Sequence, residues 1–175
     1  MSNTHYIRTF KYTVYALLLL ALYVIQTVPG LFVIFGVKPI WVVPAAIAIA
    51  MMEDELIGGI YGALAGLLCD LGGFALFGFK GFWISFFCIC SGLLIKHLMH
   101  CNLRSCALFT LMALMVTGSM QHFFTLGIHG IEDSWSIYVY SVLPTIAYSL
   151  AITPLMFFAV RALHRKFEHV IEGEV

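Results

Sequence analysis

Residues 53–70 read EDELIGGIYGALAGLLCD. Taken every fourth residue, this stretch gives Asp54, Gly58, Gly62, Gly66 and Asp70, three glycines on one ridge of a helix with an acid at each end. A glycine ridge lets a second backbone approach closely. In an apolar setting this is the small-xxx-small pattern by which membrane helices pack, gaining van der Waals contact where lipid supplies no hydrophobic drive between them. Gly59 and Ala63 widen the same flat face, so the reading makes this helix the central, most enclosed one. Packing is the preferred role of the glycines, with the lining of a ligand site as the alternative.

Asp70 poses a sharper question. A carboxylate near the middle of a membrane helix costs about 2.5–3.5 kcal/mol on insertion scales, so one that persists there has a partner or a task. At a helix end it would instead rest at headgroup level, and the sequence leaves both depths open. Lys80 is the nearest candidate counter-ion, unless it snorkels to the headgroups.

Of the 175 residues, 62% are hydrophobic and only 10% charged, with mean hydropathy +0.99 and no net charge. So few charges could not cover the surface of a soluble domain of this size, and the chain is expected to be an all-α integral membrane protein forming one membrane domain over 1–175. Apolar runs separated by charged or Gly/Pro punctuation place about six spans, at 12–28, 39–52, 56–71, 82–99, 106–127 and 137–160. The second and third fall short of the ~20 residues that a straight crossing needs. Arg8 and Lys11 before the first run imitate a secretory signal, but Gln26-Thr27-Val28-Pro29-Gly30 at its end offers no small-residue cleavage site, so this run is expected to stay as a helix.

Arg8, Lys11, Lys96, Arg104, Arg161, Arg165 and Lys166 fall on one side of this layout and Lys38 and Lys80 on the other. The positive-inside rule then makes both termini cytoplasmic. On that side lies the turn Glu53-Asp54-Glu55, read as solvated acids favoured by the macrodipole of the third span, or as a docking site for a basic partner. Pro29-Gly30 and Gly36-Val37-Lys38-Pro39 bracket the short apolar piece 31–35 on the outer side. Pro44 is a candidate kink, and the tail after Arg161 reads as partly disordered.

Small polar residues in the fourth and fifth spans, among them Ser85, Ser91, Thr110 and Thr117, suit interhelical hydrogen bonds. Gln121 and His122 invite either such bonding or a polar pocket. Five scattered cysteines make no disulfide framework, and His97, His100, Cys101 and Cys106 read as interfacial residues rather than a zinc site. Neither a phosphate-cradling loop, a nucleophile elbow nor a paired His/Glu zinc motif is present. Asp70 has no second mid-membrane acid, so an enzyme is not expected, nor are a metal, a cofactor or a nucleic-acid partner.

From Gln26 to Gly81 the order of features resembles the rod shape-determining protein MreD family of bacteria. The matching residues are Gln26-Thr27, then Gly36 and Pro39 before an aliphatic span, the acidic turn Glu53-Asp54-Glu55, the ridge Gly58, Gly62 and Gly66, and Gly66-Leu67-Leu68-Cys69-Asp70 with Gly78 following. Ile40 departs from the polar or acidic residue that the family often carries after the proline. The resemblance implies a multi-pass protein of the bacterial cytoplasmic membrane, a non-enzymatic scaffold that binds MreC and helps couple MreB filaments to peptidoglycan synthases. It also implies that the glycine face, Asp70 and Pro39 shape the partner groove, with Glu53, Asp54 and Glu55 as a cytoplasmic contact and lipid around the whole. In size and six-span layout the chain also looks like the substrate-binding membrane subunit of an energy-coupling-factor vitamin transporter. Ala16 and Ala21 stand five apart, however, where those subunits carry Ala-x-x-x-Ala on the first span, and Ala46 and Ala50 show that spacing only on the second.

Overall fold

The computed structural model describes residues 2–28, 38–72, 77–98, 101–124 and 138–172. They form α1 (Ser2–Thr27), α2 (Val42–Met52), α3 (Glu55–Leu71), α4 (Phe79–His97), α5 (Leu103–His122), a π turn at Tyr138–Val142, and α6 (Leu143–Glu172). No strand occurs among the described residues. Four helical segments, Ile7–Thr27, Phe79–His97, Leu103–His122 and Leu143–Glu168, are long and apolar enough to cross a membrane. The chain is a multi-pass membrane protein. The apolar piece 31–35, Gly36, residues 73–76, His100, Trp135 and the start of the sixth expected span lie outside the described residues.

The enclosed helix is α2, which corrects the expectation that placed α3 at the centre. Every residue from Val42 to Met51 is buried, while α3 keeps an exposed stripe of Leu56, Ile60, Leu64, Leu67 and Leu71. The cause lies in composition. A helix that is apolar all round is at home in lipid or in a protein core, and small side chains on every side favour the core, where other helices can come close. In α2, Ala45, Ala46, Ala48 and Ala50 keep it thin enough for α3, α4, α5 and α6 to pack around it. Its 11 residues span only about 16 Å, and the short length is harmless because protein, not lipid, surrounds it.

A short buried helix leaves non-helical backbone at its ends, and in an apolar interior each such amide needs a partner. The Ile40 N–H donates to Ser149 Oγ of α6 at 2.8 Å, and the Trp41 N–H to Gln26 Oε1 of α1 at 3.0 Å. Ser149 Oγ in turn donates to the Thr145 carbonyl at 2.7 Å. Pro44 produces no kink, for it sits in the first turn of α2, where its missing N–H would have had no helical acceptor.

The glycine ridge of α3 is filled by its own chain. A Cβ on Gly58 would come within 2.7 Å of Ala50 Cα, and one on Gly62 within 2.8 Å of Cys88 Cβ and 2.9 Å of Ser85 Cα. At Gly66 it would overlap the backbone of Gly81, so here two helices touch main chain to main chain. Ser85 Oγ donates to the Gly59 carbonyl at 2.8 Å and pins the pair. Ser91, Thr110 and Thr117 bond instead to carbonyls of their own helices, contrary to the interhelical role expected of them. The tail after Arg161 is also corrected: it is helical to Glu172, with Phe167 edge-on to Phe10 of α1 at 6.0 Å between centroids.

The two glycines of the α3–α4 crossing differ in a way that melting can read. A Cβ on Gly81 meets Leu67 at an ordinary 3.5 Å. Gly66→Ala is expected to lower the melting temperature in detergent, in line with overpacking costs of about 1–3 kcal/mol, whereas Gly81→Ala leaves it level or raises it through helix propensity. Equal losses at both positions would contradict this crossing.

Candidate functional site

The charged residues of the bundle gather at its two ends, separated by the length of α3, about 25 Å for 17 residues. At one end the three acids of the expected solvated turn part company. Asp54 and Glu55 stay near the surface and pair with Lys96 of α4, at 3.5 and 3.0 Å. Asp54 occupies the N-cap position of α3 without a capping side-chain bond. Glu53 turns inward, its side chain only 8% exposed, and Oε1 meets Lys11 Nζ of α1 at 2.5 Å and His164 Nδ1 of α6 at 3.1 Å.

Around this carboxylate a cluster closes. The Tyr15 hydroxyl donates to Glu53 Oε1 at 3.2 Å and lies equally close to His164 Nδ1, while His164 Nε2 faces Glu168 Oε1 at 3.1 Å. Both contacts to carboxylates are donations only when the ring carries two protons; a neutral imidazole can donate to one of them. Tyr61 of α3 stands edge-on to Tyr15 and donates its hydroxyl to the Tyr12 carbonyl at 2.8 Å. The cluster therefore ties α1, the α2–α3 turn, α3 and α6 together. Burial pushes the Glu53 carboxyl up, but the hydrogen bonds and charges of His164 and Lys11 outweigh it and hold the group below the usual carboxylate range.

At the opposite end Asp70 is 4% exposed. Its Oδ2 accepts the N–H groups of Gly78, Lys80 and Gly81 at 2.9, 3.1 and 3.4 Å, so the carboxylate caps the N-terminus of α4 from another helix. Lys80 contributes its backbone amide rather than a salt bridge. Gly78 makes the turn possible: its φ of +90° is open to glycine and strained for other residues. Asp70 Oδ1 is buried and has no hydrogen-bond partner among the described residues. Asp70 stands in the last turn of α3, with its carboxylate held by backbone dipoles.

Beside this cap lies a cavity of about 490 Å³ between the ends of α1, α3 and α5 and the starts of α2, α4 and α6. Pro39 lines it, as do Cys69 and Gly72, the near neighbours of Asp70. Lys38, Lys80, Gln26, Gln121 and His122 give it a polar rim over a floor that includes Val43, Ile84, Leu114 and Ile146. Pro39 and Asp70 are thus brought to one end, Glu53, Asp54 and Glu55 to the other, and Gly58, Gly62 and Gly66 into the packing between. No family model matches the chain, and neither does any curated protein or solved structure.

Sequence reasoning missed Tyr15 and His164 as partners of Glu53, and it left Lys11 in a signal-like flank. A weak sign was present: Lys11 and Tyr15 stand four apart on α1, as do His164 and Glu168 on α6, each pair on one helical face. Gln121 and His122 do line a polar pocket, the less favoured of the two roles read for them.

Three predictions concern these ends. Lys11→Met strands the Glu53 carboxylate inside the bundle and is expected to cost about 3–5 kcal/mol, while Lys11→Met combined with Glu53→Gln recovers much of that loss; melting of the four proteins in detergent closes the cycle. Because the folded Glu53 titrates below its ordinary value of 4.5, its contribution is present in full above about pH 4.5 and disappears as pH falls through the lower folded value. The Glu53→Gln protein should therefore show a flatter acid limb. For Asp70, Asn keeps an acceptor for the α4 amides and Ala does not, so Asp70→Ala is expected to lose about 1–2 kcal/mol more than Asp70→Asn.

Proposed function

We propose that this chain is a non-enzymatic membrane scaffold of the MreD kind, which binds MreC and helps couple MreB filaments to peptidoglycan synthesis in the bacterial cytoplasmic membrane. The observation that carries the reading is where the resemblance-bearing residues stand. Gln26 holds the entry to α2, Glu53 joins α1 to α6, the glycines seat α3 on α2 and α4, and Asp70 caps α4. Each goes into a joint of one helical frame, as a protein whose task is to hold others in place requires.

In this reading the bundle crosses six times, counting the short α2 and the 17-residue α3, and both termini are cytoplasmic. The charge distribution supports that orientation: Arg8, Lys11, Lys96 and His164 meet around the Glu53 end, while Lys38 and Lys80 are the lysines of the cavity end. Asp54, Glu55 and Lys96 then face the cytoplasmic partners. The single span of MreC rests along the outer side of α3 and α4, where Ala63, Leu67, Gly81, Phe82, Ser85 and Phe86 line a shallow groove. The small residues there admit a close helix and the aromatic rings flank it.

A second reading, the solute-binding subunit of a vitamin transporter, is favoured by the cavity at the Asp70 end. Against it, Ala46 and Ala50, whose spacing resembles the coupling ridge of such subunits, are fully buried in α2 and closed to another protein.

The test uses the groove and not the ridge, since Gly62→Leu would displace Cys88 and disturb the fold itself. Ala63→Trp fills the groove from a half-exposed position. It is expected to abolish co-purification of MreC in mild detergent from a rod-shaped bacterial host, with membrane insertion and melting temperature unchanged. If the wild-type chain brings down an ATPase module and no MreC, the scaffold reading is wrong.

A further inference from the structure

We propose that the cavity at the Asp70 end is a binding site for an anionic phospholipid, with the phosphate head held between Lys38 and Lys80 and the upper part of an acyl chain laid on the apolar floor. The inference goes beyond the scaffold reading and does not rest on it.

Size comes first. A volume of about 490 Å³ lies within the roughly 300–1,000 Å³ of clefts that enclose small ligands, far more than ordered water needs. Charge comes second. Among the described residues, the lining holds two lysines and a histidine and no Asp or Glu. Asp70 is close in sequence to Cys69 and Gly72 of the wall, yet its Oδ2 is engaged by three amides of α4 and the residue is not part of the lining. Among the described residues, neither Lys38 nor Lys80 belongs to an ion pair. The two come from separate elements, the lead-in to α2 and the first turn of α4, so the fold brings to one opening both lysines that this end of the bundle possesses.

The third observation is the division of the lining. Val43, Ile84, Leu114 and Ile146 are buried or nearly so and form a floor, whereas Tyr23, Gln26, Thr27 and Gln121 join the cations at the rim. An inorganic anion would leave the floor without use. An amphiphile with a phosphate head matches both halves, because ammonium groups bind phosphate as point charges and the acyl methylenes leave water or detergent for apolar contact.

The experiment is thermal melting of the full chain, delipidated in a neutral detergent, with added dioleoylphosphatidylglycerol, dioleoylphosphatidylcholine or sodium phosphate. Phosphatidylglycerol is expected to raise the midpoint in a saturable way, and phosphatidylcholine and inorganic phosphate at the same concentration to do much less. Joint replacement by Lys38→Gln and Lys80→Gln should raise the apparent dissociation constant for phosphatidylglycerol about tenfold, the loss of charge-assisted contacts to one head. Neither lysine side chain is buried, so the lipid-free melting point of this variant should match the wild type. Arg104→Gln, an exposed cation at the Glu53 end, should leave the lipid effect intact.

Equal stabilisation by phosphatidylcholine, or equal loss with Arg104→Gln, would overturn the site. A full response to inorganic phosphate would overturn lipid as the source of the phosphate. Co-purification of MreC is a separate readout, so failure of either idea is seen without the other.

Discussion

Everything in this bundle answers to one constraint: an 11-residue helix, α2, lies inside it with every residue from Val42 to Met51 buried. A helix of that length cannot cross a bilayer alone, and the backbone that leads into it must find hydrogen-bond partners from side chains. Gln26 and Ser149 meet that demand at one end, and at the other the Glu53 N–H continues the helical ladder to the Ile49 carbonyl. The side chain of the same Glu53, carried inward by that turn, must then be neutralised, which brings Lys11 and His164 to it from α1 and α6. The position of the outer helices thus follows from the satisfaction of a few polar groups around an apolar centre.

The two carboxylates that end up inside use opposite solutions. Glu53 is balanced by side-chain charge drawn from distant parts of the chain, and Asp70 by amide dipoles eight to eleven residues ahead. The first solution is long-range and fixes tertiary structure; the second is local and fixes how α3 turns into α4. Only the first places a hydrogen-bonded imidazole in the middle of the joint. The cap at Asp70 also spares Lys80 from pairing with it, and this leaves the ammonium group for the cavity mouth.

How much of this could be read in advance depends on the range of the interaction. Helical packing on the Gly58, Gly62 and Gly66 ridge was legible because a four-residue repeat of small side chains has a direct geometric meaning, and the helical, membrane-spanning character follows from composition. The identity of the central helix was not, since the same glycines suit a helix packed on one side, and burial all round is signalled instead by the featureless alanine-rich run of α2. Asp70 was legible as an unusual carboxylate but not as a cap, because the Gly78 turn that aims the α4 amides at it has no sequence mark beyond one glycine. The Glu53 cluster was least legible: its partners lie 42 residues before it and 111 after it in the chain, and nothing within a helix-length window points so far.

The arrangement bears on how a scaffold of this kind would act across a membrane. α3 and α4 touch backbone to backbone at Gly66 and Gly81, and side chains that could adopt other rotamers are absent from that contact. Both ends of the pair are also pinned, by Lys96 with Asp54 and Glu55 at one and by the Asp70 cap at the other. A pair packed this closely resists local rearrangement at the crossing, because its interior has no room to repack. The proposed groove runs along this same pair. A partner helix seated there would rest against the most closely packed pair of the described helices.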